Sequence, residues 1–301
     1  MLLYICANKV SCSEMSSIAV GEVEVVALTD VEGPFFRLDQ LFPGVPLEDW
    51  EPYFARYPWA FANESTFRGR IGGYLVKARD RNILVDTGIG PAAFGTPGSL
   101  LADMEDNGFQ PADIDVVFLT HLHGDHLGWS VTEEGEPTFP RARYVTQAVE
   151  REDSGSREGQ ALAPLKSLGA VDLLYGEEPI SEEVIAIPTP GHSPGHTSLL
   201  VSSGGESVII IGDVVVHPAQ VTEPLWNIHF DEDKEQASFT REMLLDWVEA
   251  DGIVIAAGHV PGTGFGRVIR EGGRRYWQAL GENGARGLRA GEEEARGSRK
   301  E

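Results

Sequence analysis

Residues 120–129 read THLHGDHLGW, and this one stretch holds three of the 8 histidines in a chain of 301 residues. It follows IDVVFLT, an apolar run with the length and composition of a buried strand. Side chains two apart on an extended segment leave the same face, so His121 and His123 can grip one cation together as the strand ends. Gly124 lets the backbone turn sharply. Asp125 and His126 follow the turn, and their spacing suits a second cation better than the first. Three histidines and an aspartate in six positions are a poor way to build a core. The stretch therefore calls for a buried strand that ends on a cluster able to hold metal.

A catalytic zinc site takes three or four protein donors and leaves a position for water, so two ions need more ligands than the cluster supplies. Three further candidates sit at the end of an apolar run or in a glycine-rich turn: His196 in PTPGHSPGHTS, Asp213 in SVIIIGD and His259 in IVIAAGHVPG. Asp213 closes a run of buried character, where an unpaired carboxylate is costly and a cation would relieve it.

The rest of the chain frames these motifs. Strands are predicted at VEVVALTD, GGYLVKA, NILVDTG, ARYVT, VDLLY, EVIAIP, TSLLVS and GIVIAAGHV, with GGYLVKA and NILVDTG forming a hairpin. Helices are predicted near residues 99–107, near Ala148, across DEDKEQASFTREMLLDWVEA and near residues 274–280. Strands that succeed one another in two groups, with helices between and after them, imply an α/β sandwich of two sheets between helices. Residues 18–281 form the folded domain in this reading, with disordered extensions at 1–17 and 282–301. Residues 33–70 show no clear period and carry many aromatic rings, including Phe36 and Trp59. That segment is a lid over the site, offering an apolar pocket to an acyl chain or ring, an arm packed on the core, or an arm for homodimerisation.

Composition narrows the partners. A formal net charge of −23 argues against nucleic acid, and no apolar run approaches the ~20 residues of a membrane span. The first ten residues lack the basic flank of a signal peptide. Cys6 and Cys12 give no disulfide framework. The expectation is a soluble, cytoplasmic protein acting on a small molecule.

The order HxHxDH, GH, GD, GH resembles that of the metallo-β-lactamase fold hydrolases, over residues 23 to 280 or so. The resemblance implies the four-layer αββα sandwich, with a dinuclear metal centre, zinc foremost, at one rim. It implies that His121, His123 and His196 hold one ion, that Asp125, His126 and His259 hold the other, and that Asp213 bridges them. The family pattern favours the histidine followed by Thr or Gln and Ser, which selects His196 and leaves His192 to fix the turn. Asp86 in LVDTG falls at a position near the metals that orients other groups. The implied chemistry is attack by a metal-bridging hydroxide, with Asp125 passing a proton to the leaving group. His217 and His229 are expected near the substrate, the first either as a contact or as support behind the ligands. The layout is similar to quorum-quenching lactonases, with one departure: Val216 stands where those enzymes often carry a tyrosine. The GDxxxH arrangement with Gln220 is more like methyl parathion hydrolase, so an ester or lactone hydrolase comes first and a phosphotriester hydrolase second.

Overall fold

The computed structural model describes residues 16–91, 98–152 and 162–281. Nearly all of both expected disordered extensions lies outside these residues. The first sheet contains β1 (Ser17–Val20), β2 (Val23–Arg37), β3 (Phe61–Asn63), β4 (Thr66–Lys77), β5 (Asn82–Val85), β6 (Val116–Phe118), β7 (Arg143–Gln147) and β8 (Val171–Leu174). Its order is β1-β2-β4-β5-β6-β7-β8, with β3 on β4. The second contains β9 (Glu178–Pro179), β10 (Val184–Pro188), β11 (Thr197–Ser203), β12 (Glu206–Ile210), β13 (Val254–Ala256), β14 (Phe265–Glu271) and β15 (Arg274–Ala279). These lie side by side in reverse sequence order.

Period-2 alternation gives the central strands two buried faces and so builds four layers. Val25 and Ala27 of β2 face Val208 and Ile210 of β12 in the core between the sheets. Their neighbours Val26 and Leu28 turn outward to Leu100, Met104 and Leu165, which belong to the helices Leu100–Asp106 and Ala163–Ser167. On the other side Ile209 and Ile211 pack on Leu244, Leu245 and Val248 of helix Lys234–Asp251. Helix, sheet, sheet, helix is the αββα arrangement. Among the described residues no helix is long and apolar enough to cross a membrane.

Residues 274–280, expected as a helix, instead form β15 in a hairpin with β14. Glu271 pairs with Arg274 across Gly272 and Gly273, whose φ values are 57° and 84°. Two glycines with positive φ make the two-residue turn that matches strand twist. The aromatic segment also has more regular structure than its pattern suggests. β2 runs on to Arg37 and pairs with β4, but register shifts between Thr29 and Val31 and between Pro34 and Arg37 break the alternation. Between them Trp50, Tyr53 and Tyr57 are buried against the second sheet's outer face in their own chain.

Strands β5, β6 and β7 are parallel, as are β12 and β13. Ligands in such sheets gather beyond the carboxyl ends of the strands. Asp86 follows β5, the histidine cluster follows β6, Asp213 follows β12 and His259 follows β13.

Candidate metal centre

Asp213 is the hub. Its Oδ1 lies 3.1 Å from His126 Nε2 and 3.1 Å from His259 Nε2, while Oδ2 lies 3.3 Å from His192 Nε2. His192 Nε2 is in turn 3.0 Å from His123 Nδ1. Asp125 closes the other side, 3.6 Å from His259 Nε2 and 3.9 Å from His126 Nε2. Three donor groups of metal-ligating size result: His121 with His123 and His192; His121 with His126 and Asp213; Asp125 with His126 and His259.

These groups include His192, expected to fix the turn, and do not include His196, expected as a ligand. His196 is buried with its Nδ1 against Thr189, and its Nε2 accepts the backbone N–H of Asp213 at 3.0 Å. With both ring nitrogens engaged, it has no lone pair to offer and instead sets the height of Asp213. Gly212 admits this contact: its φ is +47°, and a Cβ there would stand 2.5 Å from His196 Nε2. His192 instead puts its Nε2 among the clustered groups.

Four of the other rings, those of His121, His126, His192 and His259, are held from behind. His192 Nδ1 donates to Asp231 at 2.9 Å, and Asp231 is itself buried beside Arg241 and accepts the N–H of Ile228. His126 Nδ1 contacts Asp86 at 2.9 Å, and His259 Nδ1 donates to the carbonyl of Arg70 at 2.9 Å. His121 Nδ1 meets Thr120 Oγ1, 3.1 Å away. A partner on Nδ1 leaves the Nε2 lone pair pointing into the cluster. Asp86 holds this posture at φ 59°, a left-handed conformation uncommon for a residue with a side chain, while also accepting the N–H of Thr120 at 2.8 Å.

Glu150 joins the two histidine loops. Its buried carboxylate accepts the N–H of Leu122, between His121 and His123, and the N–H of Gly195 together with the hydroxyl of Ser193. Neither Glu150 nor Asp231 was anticipated from sequence.

The charges in the cluster pull against burial. Burial favours the neutral acid of Asp213, yet His259, His126 and His192 hold it well below the usual carboxylate range. Burial likewise favours neutral His126, but Asp213, Asp86 and Asp125 outweigh it and raise its pKa well above the ordinary value. His123, half-buried and beside His192, is pushed down to about 4 by desolvation and by that neighbour. His121 Nε2 is fully buried without a hydrogen-bond partner. Orphaned polar atoms of this kind are expensive unless something binds them, so the residues fit divalent cations.

The cluster forms the floor of a cavity of about 580 Å³ whose lining includes His123, Asp125, His192, Asp213 and His259. Phe36 lines it, whereas Trp59 does not: it is half-buried beside Tyr57. His229 is exposed and stacks edge-on against Phe230. His217 lies behind the cavity in a box of Phe42, Trp50, Phe61 and Phe67, with Nδ1 accepting the N–H of Ala219. Of the four residues expected near substrate, Phe36 lines the cavity and His217, His229 and Trp59 are not among its lining residues.

A family model described as the metallo-beta-lactamase superfamily matches residues 73–272. The chain belongs to the metallo-beta-lactamase superfamily. Within it, the N-acyl homoserine lactonase of Bacillus cereus is 27% identical over 157 residues, 46% of this chain and 60% of that protein. An uncharacterised Bacillus subtilis (strain 168) protein, YobT, is 28% identical across 70% of this chain and 89% of its own length. Among solved structures, the superfamily hydrolase AbOPH superposes with a TM-score of 0.77 at 28% identity, covering 87% of this chain and 95% of that one. The dizinc quorum-quenching lactonase AidC gives 0.75 at 24% identity with the same coverage, a likeness of fold.

Proposed function

We propose that this chain is a dinuclear metal-dependent hydrolase that cleaves a small-molecule ester or lactone. The observation that carries the reading is the posture of Asp213, one oxygen toward His126 and His259 and the other toward His192. In this reading His121, His123 and His192 hold one divalent cation, Asp125, His126 and His259 hold a second, and Asp213 serves both. Zinc suits five imidazoles and two carboxylates, and Mn²⁺, Fe²⁺ and Co²⁺ accept the same donors. Cations bound there supply Lewis acidity toward a carbonyl or phosphoryl oxygen and acidify a water to near neutral pH.

The protein's own groups do the remainder. Asp231, Asp86 and the carbonyl of Arg70 keep three rings in the tautomer that presents Nε2. Asp125, the most accessible of the two cluster carboxylates at 31% side-chain exposure, reaches into the cavity and is placed to hand a proton to a leaving oxygen. Asp213, buried and locked by His196, has no such freedom. The lactonase relative favours a carbonyl substrate. Phosphotriester hydrolysis is the second reading, favoured by Val216, which lines the cavity with an alkyl group and offers no hydroxyl to a lactone. Reconstitution of metal-stripped protein on a panel of esters, lactones and phosphotriesters tests this. Metal-dependent turnover of the carbonyl compounds supports it; fully loaded protein inert to all three classes refutes it.

A further inference from the structure

The cavity's floor and walls differ in kind. Its charged and polar lining side chains are all members of the donor cluster, while Phe35, Phe36, Phe67, Val216, Ile228 and Phe230 contribute to walls of hydrocarbon. Among the described residues no lysine or arginine lines it. The nearby cations are spent elsewhere. Arg70 is fully buried, with its guanidinium on the carbonyls of Leu28 and Gly73, and Arg241 is buried on the carbonyl of Val214 and beside Asp231. Arg68 pairs with Glu32, and Arg37 with Asp39.

We infer that the enzyme selects substrates whose group remote from the scissile bond is uncharged, and that an anion at that end excludes a substrate otherwise accepted. This rests on the hydrolase reading above and narrows its substrate class. The cluster can receive the carbonyl or phosphoryl being cleaved, but the far end of the substrate must enter the walls. An ionised carboxylate placed there loses its water and gains no partner, a penalty far larger than the gain from burying a methylene. The formal net charge of −23 adds long-range repulsion of the same sign. The two effects separate experimentally, because added salt screens the distant field and leaves desolvation at the wall nearly untouched.

The test uses two esters of equal length, 4-nitrophenyl hexanoate and mono-4-nitrophenyl adipate, which differ by a terminal methyl against a carboxylate. The metal-loaded full chain should favour the hexanoate in kcat/KM by about 100-fold or more, and the ratio should persist in high salt. Phe230→Arg, at a cavity position that is 42% exposed and so admits a long side chain, should raise kcat/KM for the adipate at least about tenfold relative to the hexanoate. Equal turnover of the two esters, or a preference that collapses in salt, overturns the wall argument while leaving the hydrolase reading intact. An arginine variant that cleaves the hexanoate without gaining on the adipate also counts against it. No turnover of either ester, or of a neutral alkyl lactone, overturns the ester and lactone reading and this inference with it.

Discussion

Replacing His192 and His196 separately by alanine distinguishes a donor from a brace, and the structure assigns different losses to the two. His192 puts Nε2 within 3.3 Å of Asp213 and 3.0 Å of His123. His192→Ala should therefore lose one of the two proposed metal equivalents and most activity, because a three-histidine set reduced to two binds weakly. His196 makes no contact of this kind. Its removal strands the N–H of Asp213, worth about 1–3 kcal/mol when buried, and leaves an imidazole-sized cavity worth about 2 kcal/mol more. His196→Ala should thus cost about 3–5 kcal/mol of folding stability. Metal content by elemental analysis, read beside urea unfolding of the same preparations, separates the two phenotypes. A fully loaded His192 variant beside a stable His196 variant lacking one equivalent would refute the reasoning.

Other outcomes follow from single contacts. Asp213→Ala should lose metal and activity together, since both donor groups depend on it; elemental analysis and the ester assay report both. Asp231→Asn keeps the size but weakens the hold on His192 Nδ1, and should lower metal affinity about 10–100-fold in a chelator competition. Glu150→Ala leaves the N–H groups of Leu122 and Gly195 without their acceptor and should lower both stability and metal affinity, whereas Glu150→Gln should recover much of each. Burial pushes His217 down to about 3, from an ordinary 6.5. The fold thus favours its neutral ring, and the resulting stability is complete above pH 6.5 and drains away as pH falls toward 3, because the unfolded chain takes the proton first. Across that window wild type should lose about 1.4 kcal/mol per pH unit more than His217→Asn, measured by denaturant titration.

The clustered side chains near β6, β12 and β13 were legible because each follows an apolar run, and strand ends are where side chains can meet. Choosing between His192 and His196 required three-dimensional register. Pro188 pairs with Thr197, which places His196 at the mouth of β11 against Thr189 and Gly212, while His192 rides the tip of the turn. Two histidines in GHSPGH gave no such order. Asp231 was hidden in an acidic stretch that reads as favouring a helix N-terminus, a role that belongs to Asp233, whose side chain accepts the N–H of Gln236. The β14–β15 hairpin had a usable signal in the Gly272-Gly273 pair between alternating segments. Glu150 had none: its partners lie 28 to 45 residues away.

Anomalous diffraction from crystals of the zinc-loaded protein tests the central claim most directly. Two peaks are predicted, one among His121, His123 and His192, the other among Asp125, His126 and His259, with Asp213 between them. A single peak, or any peak ligated by His196, would contradict the account.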